Sequence, residues 1–320
     1  MAYQILVFND LHLADKPPAM RRPGYMEEGL AMLQEVVELA KDVPYLISTG
    51  DLFHVKTPSR TSHQLVGNII DILQQRERDW WGHRLHIVPG NHDMTEKGLA
   101  SLPEQPLMQL ERAKVARLFT SWVRPEPDLL FLPRPYDVHR DADPSYYRRN
   151  DDEPRLDAGK TLMFAHGSIV PPGVVRPYPV AHWEDITAKN PGWDLLAAGH
   201  IHEDLNGWRR DGHAFVNLGS LGRVAKTEAN LTRTVQVALI TVDDDINVDP
   251  IPLKSALPAE DIFLDIMEGP EIDDDAIQEF VKSLSGGLGM EQIDLIELVQ
   301  GVPEAIRPRL LHYLEAADGK

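Results

Sequence analysis

The run Tyr3-Gln4-Ile5-Leu6-Val7-Phe8 is followed by Asn9 and then by Asp10-Leu11-His12, so an apolar, strand-like segment ends in an acid and a histidine. Four more segments repeat this arrangement, in which an apolar run stops at acidic, amide or imidazole side chains. After PYLIST, RLHIVP, TLMFA and DLLAA come, in turn, Gly50-Asp51-Leu52-Phe53-His54, Gly90-Asn91-His92-Asp93, Ala165-His166-Gly167 and Gly199-His200-Ile201-His202. Loops at strand ends commonly carry functional residues. These oxygen and imidazole ligands, without any sulfur, are enough to hold two metal ions.

The order of the five motifs resembles the signature of the calcineurin-like metallophosphoesterases, which runs D-x-H, G-D, G-N-H-D/E, H and G-H-x-H. The resemblance extends from Asp10 to His202. Within that superfamily, the segment from Gly50 to His54, followed by Pro58 and Ser59, is similar to the SbcD-type DNA-repair nuclease branch. The resemblance implies an α+β fold, namely a four-layer α/β/β/α metallophosphoesterase sandwich with a small C-terminal α/β capping domain.

The resemblance also implies which residues bind the metals. It places one ion on Asp10, His12 and His202 and the other on Asn91, His166 and His200, with Asp51 as the bridging carboxylate. Such a mixed ligand set suits Mn²⁺, Fe²⁺ or Zn²⁺, and the nuclease branch favours two Mn²⁺ ions. Because an extended segment would point His200 and His202 apart, we expect a loop directly after the strand, with its tight geometry permitted by Gly199.

Four further residues receive roles by resemblance. His92 is expected to protonate or stabilise the leaving oxygen, and Asp93 to orient the His92 ring and raise its basicity. His54 is expected to stabilise the substrate phosphate, with a structural role left open. After the turn Asn217-Leu218-Gly219-Ser220, Arg223 is expected to contact phosphate.

Composition bounds the class of protein. The 320 residues suffice for one substantial core and a small appended domain, and no run approaches the roughly 18 apolar residues that span a bilayer, so a cytoplasmic location is expected. The absence of cysteine excludes disulfides and thiolate zinc sites. A net charge of −18 opposes loose association with DNA, although two divalent cations would add about four positive charges where a phosphate binds.

The pattern of apolar residues predicts a catalytic domain at 1–255 and a strand–helix–strand–helix unit at 256–320, similar to the cap of the repair nucleases. Within the catalytic domain we expect helices at 27–41, 59–75 and 106–118. The charged segment 137–160 has no apolar period. It is either a solvated loop or, through its tyrosines and arginines at 146–149, a loop that stacks bases and binds phosphate.

The leading functional hypothesis is a manganese-dependent DNA nuclease with exonuclease and single-strand endonuclease activity. The alternative is a phosphodiesterase acting on cyclic nucleotides or other small phosphodiesters, which would use the same metal ligands. The nuclease-like segment 50–59 and the cap favour the first, and the net charge favours the second. An SbcC-type coiled-coil ATPase is a further expected partner, but the docking helices of SbcD-type proteins do not follow the last predicted helix. Homodimerisation is expected through residues 59–75.

Overall fold

A computed structural model describes residues 2–18, 20–76 and 84–264. The chain separates into two compact units. The larger contains Met1–Lys16, Gly24–Gly222 and Arg233–Leu257, and the smaller contains Pro17–Pro23, Arg223–Thr232 and Pro258–Lys320. Most of the expected cap, from 265 onward, lies outside the described residues. The boundary at 255/256 therefore stays a prediction.

The first sheet of the larger unit has six strands. They are β1 (Tyr3–Phe8), β2 (Tyr45–Ser48), β3 (Leu85–Ile87), β4 (Ala116–Leu118), β13 (Gln236–Val242) and β14 (Ile246–Pro252), in the order β14-β13-β1-β2-β3-β4. Strands β1 to β4 are parallel to one another, whereas β13 runs antiparallel to both β1 and β14. The parallel strands therefore all end at the same edge.

The second sheet also has six strands. They are β5 (Val123–Glu126), β6 (Leu129–Arg134), β7 (Lys160–His166), β10 (Leu195–Gly199), β11 (Asp204–Arg210) and β12 (His213–Leu218), in the order β11-β12-β10-β7-β6-β5. Strands β6, β7, β10 and β12 are mutually parallel, with Gly199 opposite His166 in register. A separate pair, β8 (Ile169–Val170) and β9 (Ala181–His182), follows β7.

Alternating side chains pack the two sheets against each other. Ile5 and Val7 of β1 join Leu162 and Phe164 of β7 in one buried cluster between the sheets. The outer face of the first sheet packs against α1 (Tyr25–Leu39), α2 (His63–Leu73) and α3 (Pro106–Arg112). The outer face of the second sheet is covered by α4 (Trp183–Thr187) and by irregular chain. The α+β sandwich expected from the sequence is confirmed.

The helix predictions differ from the structure mainly at the ends. The second helix begins at His63 and not at 59, because the Ser62 hydroxyl accepts a hydrogen bond from the Leu65 amide and caps it, while Pro58–Arg60 forms a 3₁₀ turn. The prediction of a helix through 118 was wrong. Helix α3 ends at Arg112 and the chain enters β4, where pairing with β3 overrides helical propensity.

The segment 137–160 is irregular and largely exposed, as expected of a solvated loop, but its two tyrosines are buried and do not form a base-stacking surface. Tyr147 is buried, and its hydroxyl lies 2.8 Å from the Asp141 carbonyl oxygen. Arg148 and Arg149 donate to backbone carbonyls of this unit. Arg134 forms a bidentate ion pair with Glu153 at 2.7 Å and also donates to the Tyr146 carbonyl. The segment is thus a folded layer over the second sheet.

The smaller unit contains α5 (Glu228–Thr232) and α6 (Ala259–Ile262), which contact each other. Arg21 pairs with Phe263 in an isolated antiparallel bridge and also lies over its ring, 5.3 Å from the centroid. Across the residues described in both units, no helix is long and apolar enough to span a bilayer.

Candidate metal centre

The motif residues meet where the parallel strands of both sheets end. Asp10, Asp51 and Asn91 follow β1, β2 and β3 of the first sheet, while His166 and His200 stand at the ends of β7 and β10 of the second. Hydrogen bonds join the two rims. The His200 amide donates to both carboxylate oxygens of Asp10 at 3.1 Å, and Asn9 Nδ2 donates to the Ala198 carbonyl at 3.1 Å. The fold therefore brings together residues such as Asp10 and His200, which are 190 positions apart in the sequence.

Backbone strain is concentrated at these loops. Four residues expected to bind metal adopt a positive φ, which side chains other than glycine rarely tolerate. They are Asp10 at 43°, His12 at 51°, Asp51 at 49° and His200 at 88°. Conformations of this kind persist where the surrounding structure fixes them, and they cluster at functional sites.

Glycines make room for the ligands. A Cβ on Gly199 would lie 2.5 Å from Thr49 Oγ1 and 2.9 Å from Asp10 Oδ2. A Cβ on Gly90 would overlap the Asp51 carboxylate. Gly199 thus permits the tight geometry through close approach to Thr49 and Asp10, while the left-handed backbone conformation of this loop is at His200.

Asp10, His12 and His202 form the first ligand group. Their ligand atoms lie within 4.8 Å of one another, as an ion held among them requires. The Nε2 atoms of His12 and His202 are 2.9 Å apart. Asp10 and His12 are fully buried, so these groups are held without the mobility of surface side chains.

Asp51, His166 and His200 form the second group, again within 4.8 Å. Asn91 belongs to it as well, because its Oδ1 lies 2.9 Å from His166 Nε2 and 3.0 Å from His200 Nδ1. His166 Nδ1 lies 2.8 Å from the Thr49 carbonyl oxygen. Donation of the Nδ1 proton to that carbonyl leaves the Nε2 lone pair for an ion, the arrangement usual for histidine ligands.

Asp51 connects the two groups. Its Oδ2 lies 3.7 Å from His12 Nε2 and 3.4 Å from His166 Nε2. Its Oδ1 accepts a hydrogen bond from the His92 amide at 2.8 Å. Within the described part of the chain, Oδ2 is buried and has no hydrogen-bond donor. A buried carboxylate oxygen without a donor, facing imidazoles on both sides, fits a bridging ligand, and the whole donor set fits two divalent cations.

The centre changes the acidity of its own groups. Burial raises the pKa of Asp10 to about 6, against the opposing effect of His166 and His202. Burial acts in the same direction on Asp51, but His166 and His92 outweigh it and hold the pKa of Asp51 well below its ordinary value. For His166, burial is outweighed by the carboxylates of Asp51 and Asp10, which raise its pKa to about 9. A metal must displace that proton to bind His166, so binding would release it.

His92 and His54 lie beside the first ligand group. The ring of His92 packs edge-on against His12, with centroids 4.8 Å apart, and is stacked on His54 at 5.3 Å and 12°. His92 Nδ1 lies 2.6 Å from the carbonyl oxygen of His54. Both rings are therefore placed next to the ligands, as expected from the sequence, and the role of each stays a prediction.

Asp93 differs from expectation. Its carboxylate accepts hydrogen bonds from the amides of Asp51 at 2.8 Å, Gly90 at 3.0 Å and Phe53 at 3.3 Å. Burial, reinforced by the Asp51 carboxylate, raises the pKa of Asp93 to about 7. Asp93 thus ties two ligand loops together by their backbones, and the contact that orients the His92 ring comes from a carbonyl oxygen.

Tyr136 is a site residue that sequence reasoning missed. It follows β6 at the same edge as the ligands, half-buried, and its ring lies 5.3 Å from the His200 ring and 6.1 Å from the His166 ring between centroids. Its amide donates to the Pro89 carbonyl at 3.0 Å. Arg223 belongs to the smaller unit, where its carbonyl accepts a hydrogen bond from Arg21 at 3.0 Å. Its contact with phosphate stays a prediction.

Comparison with known proteins gives one family match. A family model for calcineurin-like phosphoesterases matches residues 3–204, more than half of the chain, and this range contains all five motifs. Among solved structures, a dimetal phosphatase from Danio rerio is 14% identical over 78% of this chain and 96% of its own, with a TM-score of 0.48. A predicted phosphoesterase from Streptococcus pneumoniae is 14% identical over 79% of this chain and 90% of its own, with a TM-score of 0.36. No curated protein sequence gives a significant match.

Proposed function

The chain belongs to the calcineurin-like phosphoesterase family, whose reaction is the hydrolysis of phosphoesters, and we propose that the phosphoester it hydrolyses is DNA. The proposed activity is that of a two-metal, manganese-dependent nuclease with exonuclease and single-strand endonuclease capacity. One observation carries the choice of substrate. His54, which follows the Gly-Asp motif in the nuclease-like segment, stacks on His92 and lies beside His12 at the centre.

The ligand set supplies the positions for two cations. Asp10, His12 and His202 would hold one, and Asn91, His166 and His200 the other, with Asp51 between them. Two bound divalent cations would supply an activated water and neutralise the phosphoryl oxygens. The protein's own contribution is to fix these side chains through strained backbones, buried carboxylates and the carbonyl of Thr49.

His92 is the proposed proton donor to the leaving oxygen. Its Nδ1–H donates to the His54 carbonyl, so Nε2 is the ring nitrogen that would pass a proton to the leaving oxygen. The carbonyl oxygen also stabilises the protonated ring, which must hold a proton on both nitrogens before it can give one up. The DNA leaving group is a deoxyribose alkoxide, a strong base that needs this proton. Arg223 is proposed to contact phosphate.

The test is direct. Purified protein with Mn²⁺ would be incubated with end-labelled linear DNA, with single-stranded circular DNA and, separately, with bis-p-nitrophenyl phosphate. The nuclease proposal expects shortening of the linear DNA and nicking of the single-stranded circle, both stopped by chelation. Asp51→Ala serves as the matched inactive control. Hydrolysis of the small diester without cleavage of either DNA would reject the proposal.

A second candidate function is that of a phosphodiesterase for cyclic nucleotides or other small diesters. The observation that favours it is the net charge of −18, which opposes loose binding of a polyanion. The same assay with 3′,5′-cyclic AMP separates the two, because a small-diester enzyme should turn it over faster than it cleaves DNA.

The proposal extends to partners and location. We propose an SbcC-type coiled-coil ATPase or a homodimer formed through residues 59–75 as a source of additional DNA contacts, and a cytoplasmic site of action. A partner ATPase with a basic surface would offset the acidic charge of the chain, whereas a homodimer would add contacts to DNA but would double that charge. Light scattering of the protein alone, and pull-down with a purified coiled-coil ATPase of this class, are the tests.

A further inference from the structure

We infer that His54 is a positioning residue that fixes the proton positions of two neighbouring histidines, one metal ligand and one proton donor, by two chemically separate contacts. One contact comes from its ring and the other from its backbone. This inference rests on the proposed two-metal chemistry but not on DNA as the substrate. It assigns His54 a role other than phosphate binding.

The backbone of His54 is rigidly held. Its amide donates to the Leu13 carbonyl at 3.0 Å, and the Leu13 amide donates to the Leu52 carbonyl at 2.8 Å. Leu13 and Phe53 form a parallel bridge, and both are buried. The loops after β1 and β2 are therefore joined by a short ladder beyond the ends of the strands. His54 is the last residue of this ladder. The position of its backbone is therefore fixed, and with it the carbonyl oxygen and the point from which the ring extends.

The ring contact acts on His12. Nδ1 of His54 lies 3.4 Å from Nδ1 of His12, a long hydrogen bond, while Nε2 of His12 faces Asp51 and His202. A histidine that binds a metal through Nε2 must carry its proton on Nδ1. Because this proton is buried, it needs a hydrogen-bond acceptor, and the nitrogen that faces it is Nδ1 of His54. His54 then keeps its own proton on Nε2.

The backbone contact acts on His92. Its Nδ1 lies 2.6 Å from the His54 carbonyl oxygen, which can only accept a hydrogen bond. The Nδ1 of His92 must therefore be protonated, which makes Nε2 the nitrogen that would exchange its proton. Because this contact uses the backbone, it survives any substitution of the His54 side chain. The two effects can thus be separated by mutation.

The experiment uses three variants of the full chain, purified free of metal. His54→Ala removes the ring acceptor, and His54→Asn restores an acceptor oxygen near the position of Nδ1. His139→Ala removes an exposed histidine of segment 137–160 as the matched control. Mn²⁺ alone is titrated into each protein by calorimetry, after circular dichroism and thermal unfolding have shown that each is folded.

Loss of an outer partner of a metal ligand typically weakens metal binding by about 10- to 100-fold. We expect a loss of this size at one of two Mn²⁺ sites in His54→Ala, recovery of most of it in His54→Asn, and no loss in His139→Ala. At saturating Mn²⁺, the kcat of His54→Ala should recover toward that of the unaltered protein, because His92 keeps its carbonyl partner.

Two outcomes would overturn the inference. If the Mn²⁺ affinities of His54→Ala are unchanged and its KM for bis-p-nitrophenyl phosphate is raised, His54 is a substrate-phosphate contact. A loss in His54→Ala that His54→Asn does not restore would mean that ring volume and not an acceptor atom matters. Neither outcome depends on whether DNA is cleaved, so a failure of the nuclease proposal would be recognised separately.

Discussion

Two irregular regions of the larger unit, the ligand loops and the segment 137–160, are similar in polarity but differ in how their polar atoms are used. In segment 137–160, Glu153 uses both oxygens on Arg134, which also donates to three backbone carbonyls. In the ligand loops, Asp51 Oδ2 is buried without a donor among the described residues, and imidazole nitrogens face each other at 2.9 Å. The polar groups of segment 137–160 pair with one another, whereas those of the ligand loops are arranged to bind metal ions.

Backbone conformation separates the same two regions. Four expected ligands have a positive φ, whereas no residue of 137–160 other than Gly159 does. The surrounding structure fixes these strained conformations at several neighbouring ligands, and binding of two cations would offset their cost. Polar composition alone therefore does not identify a functional loop. Buried acceptors without donors, combined with strained backbone, do.

The largest expected effect follows from removing the bridge between the ligand groups. Asp51→Ala should bind one Mn²⁺ per chain where the unaltered protein binds two, because both groups lose their shared carboxylate. Hydrolysis should fall by more than the roughly 10²–10⁴-fold that loss of a general acid costs. Metal analysis after manganese loading and gel filtration measures the first effect. Two tightly bound ions in this variant would remove Asp51 from the bridging role.

The next effect concerns proton transfer. His92→Ala should retain two Mn²⁺ ions and lose about 10²–10⁴-fold in DNA cleavage, because the alkoxide leaving group loses its proton donor. Hydrolysis of bis-p-nitrophenyl phosphate should fall much less, since p-nitrophenolate is a weak base and leaves without a proton. Parallel kcat measurements on the two substrates provide the check. Loss of a metal in this variant would instead make His92 a ligand.

Much of the centre could be predicted from the sequence, because its ligands directly follow apolar runs in a fixed order. What could not be predicted is the hydrogen-bond partner that holds each of these side chains in place. The carboxylate of Asp93 is adjacent to His92 in sequence, yet it is used on three amides of two loops, and the carbonyl of His54 takes its place. Backbone acceptors have no sequence signature. Tyr136 had one that was overlooked, namely its position at the end of an apolar strand like every ligand.

Fold predictions failed where tertiary contacts decide. The segment 106–118 contains good helix formers, but Ala116 and Leu118 lie opposite Leu85 and Ile87 in the first sheet. Segment 137–160 has no apolar period, yet its adjacent tyrosines at 146 and 147 are buried. Irregular chain can bury side chains without any repeat, because each contact is made separately. Such packing cannot be predicted from the sequence of the segment, because it depends on the sheet against which the segment packs.

A third prediction tests whether segment 137–160 is structural. Glu153→Ala leaves the buried Arg134 without its ion-pair partner, and breaking a buried pair in this way typically costs about 3–5 kcal/mol. The free energy of unfolding in urea should fall by roughly that amount. The kcat per folded molecule at saturating Mn²⁺ should be unchanged. The exposed Asp152→Ala is the matched control and should change stability by less than about 0.5 kcal/mol. A specific loss of activity without a loss of stability would contradict the structural role.

The smallest expected effect concerns a buried histidine without a ligand role. His86 lies in β3, and burial, with a smaller contribution from Arg117, lowers its pKa to about 3. The unfolded chain has an ordinary histidine pKa near 6.5, so it takes up a proton at a pH where the folded state does not. The stabilisation from a neutral His86 is therefore complete above about pH 6.5 and is lost progressively as the pH falls toward 3. At pH 5 the loss should be about 2 kcal/mol.

The measurement is urea unfolding of metal-free protein between pH 7 and pH 4, with His86→Leu as the control. The free energy of unfolding of the unaltered protein should fall more steeply with decreasing pH than that of His86→Leu, which lacks the stabilisation from a neutral histidine at every pH. The variant isolates His86 because the carboxylates of the centre titrate equally in both proteins. Parallel stability curves for the two would show that His86 is protonated, or solvated, in the folded state.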